Sequence, residues 1–276
     1  MRILNVRMTC TWIALSVAVV IPGVGQSLAP TVKDHGGRVL QAHEVQLEEI
    51  APFVQMGGAW GDRSSTAHGT FGLFPGEATS PPHTHSQAYH AVVLSGTMTN
   101  PFGTESDPTT MIAGSYWYVP AGEEHVTACV SAEPCLFYFH ADHPFDFTPI
   151  DTFTAERSAG AVTTQAGQIQ FEEIAPFVQM GGAWGDRSRS AHGTFGLFKA
   201  GAASPLHTHS GAYHAVVLSG TMTNPFGDEK NPPEMTRGSY WYVPGGVEHV
   251  TACLSAEPCL FYFHAEEAFD FTPTEQ

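Results

Sequence analysis

The sequence predicts an all-β chain built as two tandem barrels or sandwiches. Two observations carry that expectation. First, QLEEIAPFVQMGGAWGDRS at 46–64 returns as QFEEIAPFVQMGGAWGDRS at 170–188. The offset of 124 residues then holds without a gap through HTHS, YHAVVLSGTMTNPFG, GSYWYVP, EHVTAC and CLFYFHA. About three-quarters of positions 44–150 match their partners at 168–274, which is a duplicated domain and not an array of short repeats. Second, each copy alternates short runs of β-branched and aromatic residues with turn clusters such as PGEATSPP, NPFGTESDP, PAGEE and SAEP. No helical period of useful length interrupts them.

Along the chain, residues 1–26 read as a signal peptide. Arg2 and Arg7 precede a short apolar run from Trp12 to Ile21, and small residues follow from Gly23 to Ala29. The run is short for a bilayer span. A secreted or periplasmic protein follows, with no membrane association after cleavage. Residues 27–43 form a weakly patterned lead-in, 44–150 the first domain, and 168–276 the second. Between the domains, 151–167 (DTFTAERSAGAVTTQAG) is small and polar, as a surface linker would be. The two copies are expected to pack as paired barrels. Composition excludes other classes. Hydrophobic residues at 42% and charged residues at 14% are incompatible with a disordered chain. A net charge of −16 offers no basic stripe for nucleic acid.

Fifteen histidines against 11 Lys+Arg point to chemistry. His68, His83, His85, His90, His125 and His140 recur as His192, His207, His209, His214, His249 and His264. His83 and His85 are two apart, so on a strand they share one face, roughly 6.6 Å apart. Two imidazoles there can converge on a cation, and His125, after the Pro120-x-Gly122 turn, is the candidate third ligand.

At this point the spacing resembles the cupin family. Gly76, His83-x-His85, Tyr89 and Gly96 stand where the first cupin motif has Gly, His-x-His, Glu and Gly. Gly114, Pro120-x-Gly122, His125 and Cys129 stand in the second motif, and the other copy repeats both. The chain resembles a secreted bicupin of a group with unassigned function. The resemblance implies two jelly-roll-like β-barrels, each with a metal, and leaves room for a homo-oligomer. The sequence departs from the family at the usual Glu ligand, which is Tyr89 in one copy and Tyr213 in the other. A gap of three residues puts Tyr89 in the inward slot, and a gap of four puts His90 there.

Three neutral imidazoles suit Zn, Fe, Ni or Cu, and suit Mn less well. The open positions that remain permit Lewis-acid catalysis or dioxygen activation on a small organic molecule. An enzyme of the dioxygenase-type oxidoreductase class is the first reading, with Tyr89 and Tyr213 as proton carriers. The alternative is a non-catalytic metal-binding or small-ligand sensor protein. His90, His214, His68, His192 and Gln87 are candidates to support the ligands or touch substrate. Gln87 has Gly211 as its counterpart, so the two sites can differ. Finally, Cys129 and Cys135 flank a five-residue loop, as Cys253 and Cys259 do. A hairpin would set each pair opposite at its base, within disulfide reach. Buried thiols, or Cys129 as a metal ligand, are the competing readings, and export favours the bridge.

Overall fold

A computed structural model describes residues 36–274. The signal-peptide stretch 1–26 lies outside the described residues. The described chain is almost entirely β, with two one-turn 3-10 segments and no α-helix. No described helix is long and apolar enough to cross a membrane.

The strands are β1 (Arg38–Leu40), β2 (Glu48–Ala51), β3 (Val54–Gly61), β4 (His68–Phe74), β5 (His83–Thr84), β6 (Tyr89–Ser95), β7 (Met98–Thr99), β8 (Tyr116–Val119), β9 (Ala128–Cys129), β10 (Cys135–Ala141) and β11 (Thr148–Pro149). The second copy repeats them as β12 (Val162–Thr164), β13 (Glu172–Ala175), β14 (Val178–Gly185), β15 (His192–Phe198), β16 (His207–Thr208), β17 (Tyr213–Ser219), β18 (Met222–Thr223), β19 (Tyr240–Val243), β20 (Ala252–Cys253), β21 (Cys259–Ala265) and β22 (Thr272–Pro273).

Each copy is a jelly-roll-like barrel. One wall is a seven-stranded sheet, in the order β12-β8-β6-β10-β4-β3-β2 for the first copy. The facing wall is made of the short pairs β5–β11 and β7–β9. The second copy mirrors this with β1-β19-β17-β21-β15-β14-β13. The leading strand of each copy is therefore exchanged. β1 pairs with β19 of the second copy, and β12 pairs with β8 of the first. The stretch expected to run as a surface linker thus carries an integrated strand, and Ala161 beside it is buried. Its sequence, VTT against RVL at β1, shows no shared pattern, because a three-residue edge strand is held by backbone hydrogen bonds and not by a hydrophobic repeat.

The central strands are buried on both faces. Along β6, Tyr89, Ala91 and Val93 point into the barrel, while Val92 and Leu94 point out. The outward residues of both copies form one shared core with Phe71, Tyr138, Phe195, Val216 and Tyr262. The two barrels accordingly pack through their large sheets. At the centre of that contact His140 and His264 stack face to face, with ring centroids 3.7 Å apart and 2° between planes. His90 and His214 extend the stack at 5.1 Å on either side. Trp184 and Trp60 close it, each 4.2 Å from the outer histidine of the other copy. A tyrosine hydroxyl meets each central ring across the interface: Tyr262 at 3.0 Å from His140 and Tyr138 at 3.3 Å from His264.

Both disulfides are present, Cys129–Cys135 and Cys253–Cys259, each with Cα atoms 5.6 Å apart. The hairpin expected between the paired cysteines is not formed. β9 pairs with β7, whereas β10 pairs with β4 and β6. The intervening loop crosses from one wall of the barrel to the other, so the bridge staples the two walls together.

Two stability predictions follow from these contacts. Burial holds His90 near pKa 4 and His214 near 3, and holds His140 and His264 well below the ordinary value. An unfolded histidine protonates near pH 6.5, so between pH 6.5 and about 4 the unfolded chain binds more protons. Stability present above pH 6.5 is then lost as pH falls, by up to about 1.4 kcal/mol per pH unit for each fully buried ring. Melting temperatures of the metal-free protein should drop steeply over this window. The drop should become shallower when His140→Gln and His264→Gln are combined; a flat wild-type profile would contradict the assignment. Separately, replacing Cys129 and Cys135 together by Ala should cost about 2 kcal/mol in urea unfolding.

Candidate metal centre

Three histidines converge inside each barrel. His83 lies on β5, His85 just beyond its end, and His125 on the facing segment after the Pro120-x-Gly122 turn. Backbone pairing brings them together: His83 and His125 exchange N–H···O bonds of 3.0 Å in both directions. Gly122 has φ +74°, a conformation only glycine adopts freely, and its N–H donates to the His85 carbonyl at 2.8 Å. The turn of the second motif is thereby tied to the His-x-His of the first. Gly246 repeats this with His209 at φ +77° and 2.7 Å.

Each ring is also held through Nδ1 by a backbone carbonyl. His83 donates to Pro81 at 2.9 Å, His125 to Glu123 at 3.0 Å, and His85 to Asp146. In the second copy the carbonyls belong to Pro205, Val247 and Asp270. This fixes the tautomer with Nε2 unprotonated and turned inward. The ligand atoms in each group all lie within 4.8 Å of one another, and both groups are buried. His207 Nε2 and His209 Nε2 stand 3.1 Å apart. Two acceptor nitrogens so close repel each other unless a cation lies between them, so the donor set fits a metal ion. Burial, with the neighbouring ring adding to it, lowers the His83 pKa to about 4. Burial likewise takes His85 to about 4, His209 to about 4 and His249 to about 3, and it depresses His125 and His207. All six are neutral near pH 7, the form in which imidazole binds metals.

Tyr89 stands beside the triad. Its hydroxyl is 3.3 Å from His125 Nε2, and Trp117 Nε1 donates to it at 3.3 Å. Tyr213 has the same pair of contacts at 3.2 Å, with His249 and Trp241. Burial, partly offset by Trp117 and Thr127, raises the Tyr89 pKa, so the phenol keeps its proton across the physiological range. Behind it Thr127 donates to Asn100 Oδ1 at 2.7 Å. No motif in the sequence marks Trp117, Thr127 or Asn100 as neighbours of the site. Their recurrence as Trp241, Thr251 and Asn224 gave no signal of its own, because nearly everything recurs.

The other candidates lie elsewhere. His90 and His214 face the opposite copy within the aromatic stack. His68 and His192 are fully buried on the inner face of β4 and β15, edge-on to the cavity rings Phe139 and Phe263, and each Nδ1 is 2.9 Å from a threonine hydroxyl, Thr70 or Thr194. Gln87 is half-buried on the loop after His85 and does not line the cavity.

That cavity opens beside the triad, about 330 Å³ in the first copy and 240 Å³ in the second. Its walls in the first copy are Phe53, Phe74, Phe137, Phe139, Phe145 and Phe147, with His83, His85 and Tyr89 at the inner end and Arg63 the one cation. The same six positions are phenylalanine in the second copy, with Arg187 in place of Arg63. Phe147 stacks on His83 at 4.3 Å and Phe145 on His85 at 4.2 Å, so the rings that wall the cavity also clamp the triad.

A family model described as "Domain of unknown function (DUF4437)" matches residues 40–166 and again 172–276. The chain belongs to the DUF4437 family. This DUF4437 protein is a bicupin in fold as well as in motif. It is similar to a candidate dioxygenase from Nostoc punctiforme, with a TM-score of 0.69, 10% identity and 91% of each chain covered. It is also similar to the oxalate decarboxylase of Lactobacillus farciminis in its formate complex, at TM-score 0.63 and 12% identity, covering 90% of both chains. A point variant of the Bacillus subtilis oxalate decarboxylase aligns at TM-score 0.60 and 14% identity, over 90% of this chain and 81% of that one. At such identities the likeness is one of fold. No curated protein matches the DUF4437 sequence.

Proposed function

We propose that the protein is an exported metal-dependent bicupin enzyme that oxidises a small organic molecule, with dioxygenase-type chemistry as the reaction class. In this reading His83, His85 and His125 hold one divalent transition metal, and His207, His209 and His249 hold a second. One observation carries the proposal: three neutral, backbone-anchored imidazoles face one another, and two of them, His83 and His85, line the inner end of an open apolar cavity. All-nitrogen ligation suits Fe, Zn, Ni or Cu better than Mn. A bound metal of this kind supplies Lewis-acid polarisation or dioxygen activation. Similarity to a candidate dioxygenase supports the reaction class. The oxalate decarboxylases share the fold, but the first-motif carboxylate of the usual cupin pattern is a tyrosine in both copies here.

The chain's own residues have separate tasks. The carbonyls at Nδ1 hold each imidazole in one tautomer and orientation. The phenylalanine walls exclude water from the reacting end. Tyr89 and Tyr213 keep a proton at the hydroxyl oxygen, within the cavity and beside the triad. Because Trp117 donates to that oxygen, the Tyr89 proton points to an acceptor: His125 Nε2 while that nitrogen is free, and Thr127 or substrate when a metal would occupy it (Tyr213 has Trp241, His249 and Thr251). This makes the two tyrosines proton donors at the pH where the histidines are neutral. The two disulfides fit an oxidising compartment.

Metal analysis of the purified protein should find about two ions per chain, one for each cluster. His83→Ala combined with His207→Ala should remove tight binding, and retention of both ions would refute the ligand assignment. Oxygen uptake by the iron-loaded protein against diketones, phenols and thiols tests the reaction. With a substrate in hand, Tyr89→Phe plus Tyr213→Phe should lower kcat by about 10²–10⁴ while leaving metal content unchanged. Ligand binding without turnover would favour the sensor reading instead.

A further inference from the structure

The cavities restrict what the substrate can be. Each presents six phenylalanine rings and a single cation, Arg63 or Arg187, and in the first copy Asp146 also lines the wall. Each arginine is half-buried, and the ion pairs among the described residues are all elsewhere. The nearby acids each accept hydrogen bonds from neighbouring serines: Asp62 from Ser64 and Ser65, and Asp186 from Ser188. The Asp146 carboxylate accepts the Ser86 N–H at 2.7 Å, and Asp270 accepts the Ser210 N–H at 2.6 Å and its hydroxyl at 3.0 Å. At the mouth, Ile50 and Phe147 are 49% and 40% exposed, and Ile174 and Phe271 are 47% and 42% exposed. The second copy has the same apolar rim and the same cation, so the chain offers two such cavities.

We propose that each cavity takes a small apolar molecule carrying one anionic group, with its body among the phenylalanines and its anion on Arg63 or Arg187. The assignment rests on the reading of these cavities as substrate sites. A planar guanidinium grips a carboxylate through two parallel hydrogen bonds, and an apolar surround strengthens that grip. One arginine neutralises one charge. A small dianion such as oxalate would leave its second charge desolvated among aromatic rings and would gain nothing from them. An uncharged analogue of the right shape would fill the cage but leave the guanidinium unpaired. The exposed rim residues give an apolar body a continuous path inward.

Calorimetric titration of the metal-loaded full chain with 4-phenylbutyrate, 4-phenyl-1-butanol and oxalate tests this directly. The acid should bind at both sites, about tenfold or more tighter than the alcohol, and excess oxalate should not displace it. In the Arg63→Gln, Arg187→Gln variant the acid should fall to the alcohol's affinity, while the alcohol binds as before. That unchanged alcohol arm shows the cage to be intact. Equal binding of acid and alcohol to the wild type, no binding of the acid, displacement by oxalate, or indifference of the acid to the arginine change would each overturn the proposal. Repeating the titration after chelation separates the two readings. A preference for the acid in a chain that never held metal keeps the ligand class and removes the metal enzyme. Metal in both sites without that preference does the reverse.

Discussion

The double burial of β6 and β10, and of β17 and β21, is the constraint on which the structure depends. A strand sends successive side chains to opposite faces. When both faces are buried, one strand must build two interiors at once. On β6 the inward face supplies Tyr89 to the metal centre, and the outward face supplies His90, Val92 and Leu94 to the contact between copies. β10 does the same, with Phe137 and Phe139 walling the cavity while Tyr138 and His140 meet the other barrel. A shift of one residue in either strand would exchange the two sets and abolish site and interface together.

Burial keeps the histidines neutral on both faces, but their hydrogen bonds give them opposite uses. Inside the barrel, backbone carbonyls occupy Nδ1 and leave three Nε2 lone pairs facing one point. At the interface, tyrosine hydroxyls meet the rings and the imidazoles stack as flat, uncharged aromatics. Trp60 shows how the two are joined. It donates to Tyr138 at 2.9 Å while stacking on His214 of the other copy. Gly69 makes this possible, since a Cβ there would stand 2.1 Å from the indole nitrogen and 2.3 Å from the tyrosine oxygen.

The strand exchange closes the arrangement. The outer edges of β8 and β19 would otherwise be open to pairing with other chains. Each is covered by the leading strand of the opposite copy, in matching register: Val162 opposite Tyr118, and Arg38 opposite Tyr242. The two barrels are thus joined by backbone hydrogen bonds, by the shared apolar core and by the ring stack. The disulfides act within each barrel, where they tie the wall carrying β9 to the wall carrying β10.

The sequence by itself determined the duplication and the β class, singled out His83, His85 and His125 with their counterparts in the second copy, and put each cysteine within reach of its partner. Those features are written as local spacings or as direct self-similarity. It could not decide between Tyr89 and His90. Alternation says only that neighbours face opposite ways, and where both faces are buried nothing in the residues marks which one is the barrel interior. It also missed the exchange of β1 and β12, whose three residues are held by backbone groups that every residue carries. The phenylalanine cage, with Arg63 at its edge, draws on strands and loops from 53 to 147, and the Asn100–Thr127–Tyr89 chain is assembled from three separate segments. The hairpin inferred between the cysteines failed for the same reason: a short loop between two strands shows that they are close, but only the tertiary structure decides whether they lie in one wall or in two.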